Sequence, residues 1–207
     1  MEKTYLVKEL KGYFKAGPSP LVIDILPAQY LSLTGKGDPS EPLFNEKIQA
    51  LYPVAYAVKF MAKQHGYDFV VPKLEAQWWF DSGKYKSITM QEAPVKIPRK
   101  EWEYRLMIMM PEFITAGMVT DTIAAVEKKK NNLFIKDITL FKLHEGKSVQ
   151  VLHTGPYATE PATLAELSVF MDENNFKQHG LHHEIYLSDF RKTEPAKLKT
   201  ILREPVI

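Results

Sequence analysis

One order of elements runs through this chain twice. In the first half, a β-rich stretch at Gln29–Thr34 leads through the turn Gly35-Lys36-Gly37-Asp38-Pro39 into a helix expected over 43–65. Leu43, Ile48, Leu51, Val54, Ala55, Val58 and Met61 recur there at the spacing of a buried helical stripe. Ser40 or Asn45 is placed to cap it, and Pro53 inside it is a source of a kink. Strands at 69–72, 75–80 and 101–110 follow. In the second half, Ser148–His153 reads as a strand and Gly155-Pro156-Tyr157 as a turn. A helix over 163–177 carries Leu164, Leu167, Phe170 and Met171 inward, and strands at 184–188 and 200–205 complete the copy. The repeat, about 28–110 and 147–206, rests on element order and not on residue identity. It points to an α+β chain.

The remaining segments frame the two copies. Residues 2–16 have helical spacing, with Tyr5, Leu6, Leu10 and Tyr13 on one side, and Gly17-Pro18-Ser19-Pro20 ends that helix. Residues 21–34 are β-rich but interrupted at Pro27, which reads as an approach segment ahead of the first strand. Between the copies, 111–130 reads as a loop and helix, and 133–143 as an extra strand region. Lys128-Lys129-Lys130 closes that helix as a solvated end, where lysine complements the helix dipole.

The 207 residues suit a single domain spanning 1–207, at roughly 100–200 residues per domain. A net charge of +2 is too small to point to nucleic acid, and helix-turn-helix and RNA-binding signatures are missing. No stretch approaches the ~18 apolar residues of a membrane span. The charged N-terminal residues do not form a secretory leader. With no cysteine, disulfides, thiolate metal sites and cysteine nucleophiles are excluded. A cytoplasmic location is expected.

The chemistry concentrates in a few places. In HHEIYLSD, residues 182–189, period two puts His183, Ile185 and Leu187 on one face and Glu184, Tyr186 and Ser188 on the other. Either this is an edge strand with Glu184 in water, or its Glu184–Tyr186 face lines a cavity. In the second case burial raises the carboxyl pKa and Tyr186 is its donor. In LEAQWWFD, residues 74–81, Glu75, Gln77 and Trp79 share one face and Ala76, Trp78 and Phe80 the other. The two tryptophans therefore diverge, and each is either core or a pocket wall. Trp102 and Tyr104 share a face of the 101–110 strand, with the same two readings. Tyr56, Phe113, Tyr157 and His153 are secondary candidates. The six histidines give no convincing ligand spacing, so no metal is expected. Gly35-Lys36-Gly37 lacks the rest of a phosphate loop, and no Gly-x-Ser-x-Gly elbow occurs. No cofactor is expected.

These motifs carry a resemblance. VQVLHTGPYATEPATLAELSVFMDENNF with HHEIYLSDFRKTEPAKLKTILREPV resembles the GyrI-like small-molecule-binding family, relatives of the effector domains of MerR-type multidrug regulators. LSLTGKGDP, ALYPVAYAVKF and VVPKLEAQWWFD extend it over almost the whole chain. Phe190 replaces a frequent proline, and LEAQWW stands where relatives tend to have LEGLWW. The resemblance implies duplicated strand–helix–two-strand units in a curved antiparallel sheet, with a ligand cleft at their pseudo-twofold. It implies that Glu184 lies at the bottom of that cleft among aromatics. With no DNA-binding segment ahead of the resembling region, a regulator is not expected. Two roles share one set of residues. One is sequestration of planar, hydrophobic or cationic small molecules. The other is hydrolysis of cyclopropanoid electrophiles, in which some standalone members specialise, as detoxification. Glu184 and Tyr186 are then the catalytic candidates, and Trp79, Trp102, Tyr104, Tyr56, Phe113 and Glu75 the ligand contacts. A protein-binding, gyrase-inhibitor-like role is a third alternative.

Overall fold

The computed structural model describes residues 3–89 and 92–207. In chain order the elements are β1 (Lys3–Thr4), α1 (Leu6–Glu9), β2 (Leu21–Ile25), β3 (Ala28–Lys36), α2 (Pro42–Gln64), β4 (Asp68–Phe69) and β5 (Leu74–Trp79). Then come α3 (Ala93–Lys96), β6 (Glu103–Met110), α4 (Ala116–Glu127), β7 (Thr139–Leu143), β8 (Gly146–Thr154), α5 (Glu160–Glu173), β9 (His182–Tyr186) and β10 (Lys199–Pro205). Eight strands form one open sheet in the order β2-β8-β10-β9-β5-β6-β3-β7, antiparallel at every pairing. β1 and β4 form a separate parallel pair.

That order explains the repeat. The unit β3-α2-β5-β6 and the unit β8-α5-β9-β10 each place their last strand between the other two, and they meet where β5 pairs with β9. The flanking strands are exchanged: β2, ahead of the first unit, pairs with β8, and β7, ahead of the second, pairs with β3. α2 and α5 cover the same face. Register places Val151, Leu202, Glu184, Ala76, Leu106 and Leu33 in one row across six strands. Val151 and Leu202 belong to the core under α5, with Leu164 and Leu167. Ala76, Leu106 and Leu33 belong to the core under α2, with Leu51, Val54, Ala55 and Val58. Glu184 is the one charged member of this row, between the two cores.

Several boundaries differ from the sequence reading, each for a local reason. The helix expected over 2–16 is a single turn, and residues 1 and 2 lie outside the described residues. Past Glu9, tertiary partners take the backbone: Gln150 Nε2 donates to the carbonyls of Gly12 (2.9 Å) and Lys15 (3.1 Å), and Arg203 Nη2 to that of Tyr13 (2.8 Å). These carbonyls are then not free for a helical ladder. The approach segment holds a true strand, β2, which Pro27 separates from β3. The strand expected at 69–72 is reduced to Asp68–Phe69. The second-unit helix starts at Glu160, not at 163, because Pro161 near the first position is compatible with a helix start. It stops at Glu173, where Asn175 takes a left-handed φ of 58°. On α2, Leu43 is exposed rather than part of the stripe.

Candidate functional site

Where the two cores meet, the sheet presents a short polar chain. On β9, Glu184 and Tyr186 share a face, as period two requires, and Tyr186 Oη donates to Glu184 Oε2 at 2.6 Å. On β5, Trp78 reaches the same face and its indole Nε1 donates to Tyr186 Oη at 3.2 Å. Each donor is thus spent in orienting the next group, and the carboxylate is the end of the chain. Its side chain retains 12% exposure. Aromatic rings continue from it in both directions. Phe44 stacks on Trp78 (5.6 Å, 21°), Trp102 meets Trp78 edge-on (5.8 Å, 74°), and Tyr157 meets Tyr186 edge-on (5.9 Å, 81°).

Two further ionisable groups surround Glu184. His182, on the same strand face, lies 3.4 Å from Glu184 Oε1 through Nε2 and 2.7 Å from Glu204 Oε1 through Nδ1. Burial pushes this imidazole down, but Glu204 and Glu184 together raise it to about 10, so it is an imidazolium at neutral pH. Glu160 opens α5 at 8% exposure, and its Oε1 has no hydrogen-bond partner. A helix N-terminus favours a carboxylate by ~0.3–1 kcal/mol. Leaving a carboxylate buried and unpaired costs several kcal/mol. Burial and the neighbouring Glu184 accordingly hold its pKa well above the usual carboxylate range, with His182 opposing them. The phenols of Tyr186 and Tyr157 are pushed up by burial and by Glu184.

The candidates named from sequence are not all here. Trp102 is, and its buried Nε1 has no partner. Tyr104 lies beneath, 1% exposed, against Trp78 and Phe44, and its ring fills the space that a side chain on Gly35 would need. Tyr56 is 48% exposed on α2. Phe113 stacks on Tyr67 (4.9 Å) and packs near Phe69, in the region of β4. His153 is held by Thr163, with Nδ1 to Oγ1 at 2.9 Å. Trp79 and Glu75 face the opposite side of the sheet from Glu184, because register aligns Ala76, not Glu75, with Glu184. Trp79 there lies beneath the Arg105 guanidinium (5.8 Å). The tryptophan of β5 that shares the Glu184 face is Trp78.

Glu75 belongs to a buried network on that reverse side, which sequence reading missed. His183 Nδ1 contacts Glu145 Oε1 at 2.8 Å, and its Nε2 lies 3.1 Å from Glu75 Oε2, off the hydrogen-bonding direction. Arg203 donates from Nη1 to Glu145 Oε2 (3.0 Å) and from Nε to Gln150 Oε1 (3.1 Å). Tyr13 donates to Glu75 and bonds Tyr30 (2.9 Å), while its ring lies 4.2 Å from the Arg203 guanidinium carbon. Burial pushes Glu145 up, yet His183 and Arg203 bring it down to about 2. Burial likewise opposes the charged form of His183, and Glu145 overcomes it, raising the imidazole. The members come from segments far apart in sequence, and no local pattern joins them. No group of three or more His, Asp or Glu side chains among the described residues is arranged to hold a metal, and no helix among them is long and apolar enough to cross a membrane.

Comparison with known proteins agrees with this architecture. The profile of the GyrI-like small molecule binding domain matches residues 110–206. An uncharacterized conserved protein from Listeria innocua is 33% identical, covers 98% of this chain and 99% of its own, and superposes with a TM-score of 0.86. A Listeria innocua protein described as a hydrolase is also 33% identical, with the same coverage and a TM-score of 0.83. The EcmrR C-terminal domain shares the fold at 14% identity, covering 91% of this chain and 97% of its own with a TM-score of 0.55. Comparison with curated proteins gives no match. An antiparallel sheet of two strand–helix–strand–strand units, with a carboxylate at their junction, defines a small-molecule-binding class of α+β protein. The chain belongs to the GyrI-like small molecule binding domain family.

Proposed function

We propose that the junction of the two units binds planar, hydrophobic or cationic small molecules over Glu184, and that the protein hydrolyses electrophiles of the cyclopropanoid type, in xenobiotic detoxification. One observation carries this reading: Glu184 interrupts an otherwise apolar row between two helix-covered cores, with one oxygen fixed by Tyr186 and the side chain still 12% exposed. Aromatic rings to either side offer stacking surface to a flat ligand. The Listeria innocua relative described as a hydrolase supports a catalytic use of this surface.

The chemistry balances without a metal or covalent intermediate. Glu184 takes a proton from water as the water oxygen bonds to the cyclopropane methylene. The ring C–C bond breaks, and its electron pair moves into the conjugated carbonyl, whose oxygen becomes a phenolate and then takes a proton from solvent. With the indole of Trp78 committed to Tyr186, and Tyr186 committed to Glu184, the unpaired N–H of Trp102 is the donor available to that oxygen. The test is turnover of a spirocyclopropyl cyclohexadienone, followed by absorbance and by the mass of the water adduct. Wild type is expected to form the adduct. Glu184→Gln is expected to lose ~10²–10⁴-fold in rate while still binding the compound. Saturable binding by wild type with no adduct would leave sequestration as the function.

A further inference from the structure

His182 takes no part in the proton transfer written above, yet it is built into the same corner as Glu184. Its ring is 2% exposed and spans two carboxylates. Nδ1 lies 2.7 Å from Glu204 Oε1 on β10, and Nε2 lies 3.4 Å from Glu184 Oε1 on its own strand. Glu204 is anchored in turn, because Gln178 Nε2 donates to its other oxygen at 2.9 Å. A neutral imidazole has one N–H and one lone pair, and would set that lone pair against one of the two carboxylates. A buried ring between two carboxylates is therefore held as an imidazolium. Tyr186 has the other oxygen of Glu184, so each carboxylate oxygen has its own partner. The groups around the imidazole come from four elements. β9 supplies Glu184 and Tyr186, and β10 supplies Glu204. β5 brings Trp78, opposite His182 in register and without charge, and α5 brings Glu160, which interacts with the imidazole across the space between them.

We propose that His182, locked by Glu204, is the positioning residue of this site: its imidazolium orients Glu184 and supplies the counter-charge that a largely buried carboxylate needs to act as a base. This role rests on the reading of Glu184 as the base of the hydrolysis. Tyr186 and His182 each take one lone-pair direction of the carboxylate. That fixes its plane, and with it the direction from which water is deprotonated. His182 keeps both of its own protons throughout, and none passes through it. Turnover then depends on a group that titrates high. Burial pushes the imidazole down, but Glu204 and Glu184 raise it to about 10. Activity is retained below that pH and lost as pH rises through it.

Two measurements test this. Nitrogen-15 NMR of histidine-labelled wild type, with His182 assigned through its backbone, reads the ring without any variant. Both ring nitrogens are expected to be protonated at pH 8, and a neutral ring there overturns the role. Turnover of the spirocyclopropyl cyclohexadienone is the second readout. His182→Gln is expected to lower kcat by up to ~10²-fold with KM unchanged. Glu204→Gln, nearly isosteric, is expected to move the alkaline limb of kcat/KM down by about 1–3 pH units, which a merely structural partner of His182 would not do. If both variants keep the wild-type rate and pH profile, the role of His182 falls and hydrolysis by Glu184 stands. If wild type forms no adduct, the hydrolysis and the positioning role fall together.

Discussion

The two faces of the β5–β9 strand pair bury carboxylates in opposite ways. On the reverse face, the side chains of Glu145 and Glu75 have exposures of 1% and 0% and lie within 3.1 Å of basic side chains, Glu145 against His183 and Arg203, Glu75 against His183. Glu145, Glu75, His183 and Arg203 form a network beside which Gln150 and Arg203 fix the N-terminal segment at Gly12, Tyr13 and Lys15, although Glu75 Oε1 and His183 Nε2 have no hydrogen-bond partner. On the helix face, Glu184 retains some exposure and Glu160 has an oxygen with no partner at all. The first arrangement gives Glu145 both His183 and Arg203; in the second, Glu184 and Glu204 share His182. Buried charge by itself is therefore a poor guide to function. Each face keeps a carboxylate oxygen without a partner, Glu75 Oε1 on one and Glu160 Oε1 on the other, and the exposure left to Glu184 is what distinguishes the helix face.

Substitutions can break this contrast. The largest stability effect is expected from Arg203→Ala, which strands Glu145 and Gln150 on the reverse face and should cost about 3–5 kcal/mol, read from the urea denaturation midpoint. A cost below 1 kcal/mol would mean that the network does not clamp the N-terminal segment. Tyr186→Phe should cost less, about 1–3 kcal/mol, by leaving the Trp78 indole N–H buried without an acceptor. Combining it with Trp78→Phe should recover part of that loss, and strict additivity would deny the coupling. The smallest effect concerns Glu160. Its folded-state pKa is raised above the unfolded value, so its contribution is fully present below about pH 4.5 and is lost as pH rises through the folded pKa. Glu160→Gln should therefore flatten the decline in melting temperature on the alkaline side relative to wild type. An unchanged slope would show that Glu160 finds a partner after all.

Much of this was legible in the chain. The duplicated element order led to the two units because apolar period reports local structure directly. The pairing of Glu184 with Tyr186 followed from strand geometry. What failed did so for identifiable reasons. The helix expected over 163–177 starts three residues earlier, at Glu160, because proline is well suited to a first helical turn. The helix expected over 2–16 gives way because Gln150 and Arg203, more than 130 residues further along the chain, claim its carbonyls. Trp79 and Glu75, expected as ligand contacts beside Glu184, face the other side of the sheet.

That last error marks the boundary between the two kinds of information. Alternation within β5 determined, from sequence alone, that Trp78 and Trp79 face opposite sides, and alternation within β9 that Glu184 and Tyr186 face together. Which tryptophan joins Glu184 was decided only by the pairing of Ala76 with Glu184. A strand's side chains have a period of two, so a slip of one residue between neighbours exchanges the faces entirely. Nothing within either strand fixes that slip; the packing of two helices on one side and the buried ion network on the other does.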